Sequence, residues 1–125
     1  MARTGEVEDE KPRVHSKSTR DAQDAFRAVV PDDARVSVRP MFGSVAAFAN
    51  DHMFMCLFAD ELYFRLGEED RATLKADGGK PLEPMPGRPM REYVGLAEWQ
   101  SRTVPARDWA ERALAYAISL GPKKR

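Results

Sequence analysis

The sequence predicts one α+β domain, an antiparallel sheet meander with one helix before it and one after it. Three observations carry that expectation. Between residues 35 and 66, four short segments rich in apolar residues follow one another with only a few residues between them. Such short connections join antiparallel neighbours, because a parallel pair needs a long crossover. Helical apolar stripes bracket these segments at residues 18–30 and 105–120. The chain has 125 residues, 42% of them apolar and 32% charged, which suits one core with a well-solvated surface.

The first helix is expected to begin at Ser18 or Thr19, with Asp21 three residues after Ser18 as a loose form of the capping pattern. Ala22, Ala25, Phe26, Val29 and Val30 then fall on one stripe. Pro31 ends the helix, because it disfavours helical backbone at Val30 and has no N–H to donate. Segment 35–39 alternates, with Val36 and Val38 on one face, and segment 44–49 is small and apolar. Asn50-Asp51-His52 marks a turn, since Asn and Asp tolerate left-handed backbone. Segment 53–59 is apolar throughout, the pattern of a central strand covered on both faces. Asp60 and Glu61 reverse the chain, and Leu62, Phe64 and Leu66 alternate with Tyr63 and Arg65 in the next strand. A short helix follows over 68–76. Glu68, Glu69 and Asp70 occupy its first turn, where the helix dipole favours acids, and Asp77-Gly78-Gly79 stops it. Four prolines and a glycine in 80–89 predict an irregular loop. Residues 90–96 read as a fifth strand, and Trp99 anchors an otherwise ambiguous stretch. The last helix covers 105–120, from Pro105 in its first turn to Gly121-Pro122 beyond its end. Within it Asp108 and Arg112 are spaced for an i, i+4 ion pair.

Residues 1–17 read as a disordered tail: Glu6, Glu8, Asp9 and Glu10 are balanced by Arg3, Lys11, Arg13 and Lys17, and only Val7 and Val14 are sizeable apolar groups. Too little surface can be buried there to offset the ordering entropy. The domain is therefore expected over 18–121, followed by a basic tail, 122–125, ending in Lys123-Lys124-Arg125. Twenty basic side chains balance twenty acidic ones. That balance argues against a dedicated nucleic-acid binder, whose affinity comes largely from neutralising phosphates, and leaves room for a local basic patch. Cys56 is the single cysteine, so no intrachain disulfide framework forms, in keeping with a reducing compartment. The N-terminus lacks the apolar stretch of a signal peptide, and the longest apolar run, 53–59, is too short for a bilayer. A cytoplasmic protein without membrane association is the expectation.

Arg39-Pro40-Met41-Phe42-Gly43 resembles the Arg-x-Met-Phe-Gly signature of the TfoX/Sxy family, in its N-terminal domain. Asp51-His52-Met53-Phe54, Glu61-Leu62-Tyr63-Phe64-Arg65, Asp70-Arg71 and Pro89-Met90-Arg91-Glu92-Tyr93 are similar in order and spacing to later parts of that domain, so the resemblance extends over residues 20–120. Many members follow the signature glycine with a second glycine where this chain has Ser44. The helical second domain of the family's competence regulators does not follow within the 125 residues, so the resemblance by itself licenses no competence role. It implies an α+β fold like that of secretion chaperones, often dimeric and with no established catalytic residues, in which Arg39, Met41, Phe42 and Gly43 are structural.

Several residue groups invite a chemical reading. His52, Met53, Met55 and Cys56 include soft metal ligands close in sequence. A strand sends Met53 and Met55 to one face and Cys56 to the other, so packing is the preferred reading and no metal or cofactor is expected. A nucleophilic Cys56 would need a base at hand. His52 lies four residues away along the strand with no Asn or Asp to orient it, so no catalytic residue is expected. Asp32-Asp33 and Glu68-Glu69-Asp70 are explained as turn and helix-start residues, and Gly78-Gly79-Lys80 lacks the spacing of a phosphate loop. Tyr63 and Arg65 share a face of one strand, and Arg91 and Tyr93 share a face of another. If both faces point the same way, two rings and two guanidiniums form a surface for bases or an anion. Ordinary cross-strand pairing is the competing reading, and the preferred one.

The function so implied is a non-enzymatic regulatory or adaptor module acting through contacts with a protein partner. Nucleic-acid or anionic-ligand binding through Tyr63, Arg65, Arg91 and Tyr93 is the alternative. A homodimer through the last helix is also expected. Residues 113–121 carry no charge, and an outer helix face without polar residues marks an interface, most often a two-fold one.

Overall fold

The structure, a computed structural model, describes residues 17–41 and 43–122, and it has the α+β architecture expected. Of the tail read over 1–17, all but Lys17 lies outside the described residues, as do the signature's Phe42 and the terminal Lys123-Lys124-Arg125. The chain starts with α1 (Arg20–Val29) and four strands, β1 (Val36–Met41), β2 (Ser44–Ala49), β3 (His52–Phe58) and β4 (Glu61–Arg65). Then come α2 (Glu68–Ala76), β5 (Pro81–Met85), β6 (Arg88–Gly95), a 3₁₀ turn (Trp99–Ser101) and α3 (Thr103–Ser119).

All six strands form one antiparallel sheet in the order β1-β2-β3-β4-β6-β5. The first four make the expected meander. The turn between β2 and β3 is built on Asn50 and Asp51, both in left-handed backbone with φ of 53° and 65°, the geometry that suits a tight hairpin. Gly43 supplies a positive φ between β1 and β2. Ser44 takes the extended backbone of the next strand instead, and its buried hydroxyl donates to Leu57 O at 2.6 Å. A serine in place of a second glycine is therefore accommodated by a hydrogen bond across to β3.

The helices gather on one side of the sheet. Ala22, Phe26 and Val29 of α1 and Ala106, Ala110, Ala113, Leu114 and Ala117 of α3 share one core with Val45, Phe54, Met55, Leu57, Leu62, Phe64 and Val94 of the sheet. The small residues of α3 let its backbone lie close to the strands. Thr19, rather than Ser18, caps α1, accepting from Ala22 N at 3.1 Å. Ser18 instead reaches the sheet, with its Oγ 2.9 Å from Ser44 Oγ.

Four expectations are corrected. Segment 80–89 is not an irregular loop but β5 and the turn into β6. Pro81 and Pro84 are tolerated because β5 is an edge strand, where a missing N–H leaves no ladder bond unmade; Pro86 lies in the turn and Pro89 at the start of β6. Residues 53–59 do hold an interior strand, β3, but helices cover only one of its faces. Arg112 pairs with Asp70 of α2 at 3.1 Å, not with Asp108. The uncharged end of α3 is not an exposed apolar face: Leu114 is 4% exposed and Ile118 packs on the core. The outward positions there are Ala115 and Ser119, with Leu120 partly exposed beyond them.

Candidate functional site

Strand alternation gives the sheet a second face, and among the described residues no helix lies on it. Ala46, Cys56, Leu82 and Tyr93 form a small buried cluster there, rimmed by the partly buried Met41, Phe48, Met53, Phe58 and Tyr63. The pairing of β5 with β6 is irregular: Pro81 pairs with Val94 and Leu82 with Met90, so residues 91–93 have no partner across the ladder. A bulge of this kind bends its strand and re-aims side chains. Met90, Leu82 and Pro84 here line a groove with Met41, Met53, Cys56 and Phe58. The groove encloses about 320 Å³ and presents almost only carbon and sulfur. Methionine fits such a surface because its unbranched, polarizable chain adapts to varied shapes.

Both sheet edges are blunted. β5 carries Pro81 and Pro84. On β1 the Val36 N–H is taken by Asp33 O at 3.0 Å. Pro40 has the same parity as Val36, so its missing donor also falls on the outer edge. Edges treated this way resist pairing with another chain.

Of the four residues Tyr63, Arg65, Arg91 and Tyr93, the last three line one depression, while Tyr63 packs against the same open-face cluster as Tyr93 but borders another hollow. Met90, which lines the groove, also lines a shallow depression with Arg65, Arg91, Glu92 and Tyr93. Tyr63 lies against Gly95 and borders a different hollow, with Glu61, Lys80 and Glu98. Tyr93 is 7% exposed and donates its hydroxyl to Met53 O at 2.8 Å, tying β6 to β3. Burial pushes its phenol up to about 12, against the pull of Arg65. Its ring does not offer a free face for stacking. Arg65 donates from Nε to Glu92 Oε1 at 2.7 Å, and its guanidinium lies 6.0 Å from the Tyr93 ring centre and 5.9 Å from that of Tyr116. Glu92 Oε2 accepts from the Tyr116 hydroxyl at 3.4 Å and lies 3.9 Å from Arg71 Nη1. Arg91 is exposed and has no acidic partner among the described residues. Glu92 and Tyr116 were not legible as members of this site, because the network joins β4, β6, α2 and α3. Of the signature residues, Met41 lines the groove, and Arg39 lies over the Phe48 ring at 3.9 Å.

The soft-ligand set is divided, though not as strand alternation predicts: Met53 shares the open face with Cys56, while Met55 is in the helix-side core, because the register shift between Ala47 and Phe48 interrupts the alternation. His52 Nε2 is 2.8 Å from Gly121 O. Among the described residues no group of three or more His, Cys, Asp or Glu is placed to hold a metal ion. Burial pushes the Cys56 thiol up to about 12, the reverse of what a thiolate nucleophile needs. At Asp33, hydrogen bonds from the Arg35 side chain and backbone hold the carboxyl down to about 2, so it carries no proton to donate near neutrality. Among the described residues, no helix is long and apolar enough to cross a membrane.

A family model described as the TfoX N-terminal domain matches residues 29–117, from the end of α1 to near the end of α3. Comparison with curated proteins returns no match.

Proposed function

Because the chain belongs to the TfoX N-terminal domain family, we propose that it is a non-enzymatic regulatory or adaptor module acting through protein contacts made by the open sheet face. The observation that carries this reading is the asymmetry of the sheet. One face is sealed by α1 and α3, while the other leaves Met41, Met53, Phe58 and Met90 around a groove that no described helix covers. Apolar surface of that kind, rimmed by polar residues, marks an interaction site. The self-association expected from the sequence belongs to the same face in this reading, since Leu114 and Ile118 are occupied within the core.

Two measurements test it together: sedimentation equilibrium, and affinity capture from the native cell with and without nuclease. The wild-type chain is compared with Phe58→Asp and with Leu120→Asp, which puts a charge at the end of α3. Self-association or a captured protein that survives nuclease, persists in Leu120→Asp and is lost in Phe58→Asp supports the proposal. A clean 14.1 kDa monomer that captures no protein would refute it, as would capture that Phe58→Asp leaves intact. Capture abolished by nuclease would favour the nucleic-acid alternative instead.

A further inference from the structure

The apolar groove has a polar neighbour. Met90 is a wall of both the groove and the depression that holds Arg65, Arg91, Glu92 and Tyr93. Taken as one hollow, its groove end is carbon and sulfur. The other end has two guanidiniums against one carboxylate, and that carboxylate is already engaged by Arg65, Arg71 and the Tyr116 hydroxyl. Arg91 is left exposed with no acidic partner among the described residues. We infer that the hollow binds a small amphipathic carboxylate, a medium-chain fatty acid, with its chain among Met41, Met53, Phe58, Leu82 and Met90 and its head group at Arg91.

Size and chemistry both fix the class. With each small group taking roughly 30 Å³, about 320 Å³ holds a chain of on the order of ten carbons. A purely apolar ligand would leave Arg91 unused. A small hydrophilic anion would leave the groove empty. Small-molecule sites join an apolar wall to a few placed polar groups in this way, and an arginine fork matches a carboxylate. The inference goes beyond the protein-contact reading but uses the same groove, so a bound partner would compete with the ligand there; methyl shifts report the ligand and capture reports the partner, so either reading can fail alone.

The methionines themselves report the test. The full chain, labelled with ¹³C at the methionine methyls, is titrated with decanoate, with decanol and with acetate, while the methyl shifts are followed by NMR. Met41, Met53 and Met90 line the groove, whereas Met55 is buried on the helix side and serves as the internal control. Decanoate is expected to move the three groove methyls saturably and leave Met55 in place, and acetate to move none. Decanoate should bind roughly two- to fivefold more tightly than decanol, the range an exposed ion pair supplies, and Arg91→Ala should remove that margin while keeping the apolar contact. Arg91 is exposed, so the variant is expected to fold, and an unchanged Met55 methyl signal checks this. No saturable shift at the groove methyls would overturn the inference. So would equal affinities for decanoate and decanol in the wild-type chain, or a decanoate preference that Arg91→Ala leaves unchanged.

Discussion

Cys56 shows how one buried side chain links packing to pH. It stands on the open face of β3 under the groove, 6% exposed. In the unfolded chain its thiol ionises near its ordinary value of 9, while in the fold burial holds it neutral to about 12. Tyr93 behaves likewise between 10 and about 12, with burial as the main cause. Above pH 9 the unfolded state therefore gives up protons that the folded state keeps, so stability falls as pH rises, by up to about 1.4 kcal/mol per pH unit for each group. Between pH 9 and 10 the thiol contributes most, because the unfolded phenol is only beginning to ionise there. Cys56→Ala should lower stability at pH 8 through lost packing, yet flatten the decline between pH 9 and 10. Urea unfolding at both pH values checks this, and parallel slopes for the two proteins would show that the native thiol is not desolvated. Ser44 makes a second case at this scale. Its hydroxyl satisfies the carbonyl of Leu57 at a site with no room for bulk water. Ser44→Ala should cost about 1–3 kcal/mol, the penalty for leaving a buried acceptor unpaired, read as a lower urea midpoint at unchanged slope.

At the scale of elements, β3 carries the core. Phe54 and Leu57 are 0% and 3% exposed, and Phe54 sits where the register with β2 shifts, between Ala47 and Phe48. Truncating either to Ala should cost about 2–5 kcal/mol, measured by denaturant unfolding; less than about 1 kcal/mol at both would mean that β3 is not central. The junction after α2 is equally tight. A Cβ placed on Gly79 would meet Gly95 O at 2.7 Å, Val94 Cγ1 at 2.8 Å and Leu74 O at 2.9 Å. Two of those atoms are backbone and cannot turn aside, so Gly79→Ala should cost about 1–3 kcal/mol. Local signals made most elements readable in advance. The alternation Leu62, Phe64, Leu66, the acids that open α2 and the stripe of α1 are each written within a few residues of sequence. What escaped depends on neighbours distant in the chain. The prolines of β5 speak for a loop until the strand is known to be at an edge, where they are harmless. Arg112 has Asp108 one turn away, yet Asp70 of another helix holds it. The same limit applied to the site. Tyr93 and Arg65 were legible as a pair of strand faces, but that Glu92 would claim Arg65, and that a bulge would bring Met90 to the groove, are facts of tertiary pairing.

At the scale of the molecule, the question is what joins the helical layer to the sheet, because the open face has nothing of its own to hold it flat. The β3–β4 turn is one such joint. Asp60 accepts from the Thr19 N–H at 2.8 Å and from the Thr19 hydroxyl at 3.2 Å, at the start of α1. The carbonyl of the same residue accepts from Trp99 Nε1 at 2.8 Å, in the 3₁₀ turn that leads into α3. Both helices of the sealed face are thus referenced to one turn. At another joint, His52 at the start of β3 meets Gly121 O just past the end of α3. If the turn fixes α1 through the carboxylate, Asp60→Ala should remove the two Thr19 bonds and keep the Trp99 bond, which uses backbone. The expected cost is about 0.5–2 kcal/mol, the range for a lost helix-start hydrogen bond. Amide exchange should accelerate in the first turn of α1 and stay unchanged in α3. A Thr19→Ala and Asp60→Ala double-mutant cycle separates this coupling from loss of the Thr19 cap on Ala22. A coupling energy near zero, or exchange that rises equally in α1 and α3, would place the joint elsewhere. Trp99→Phe should do the converse, loosening the 3₁₀ turn and the start of α3 while the first turn of α1 keeps its protection.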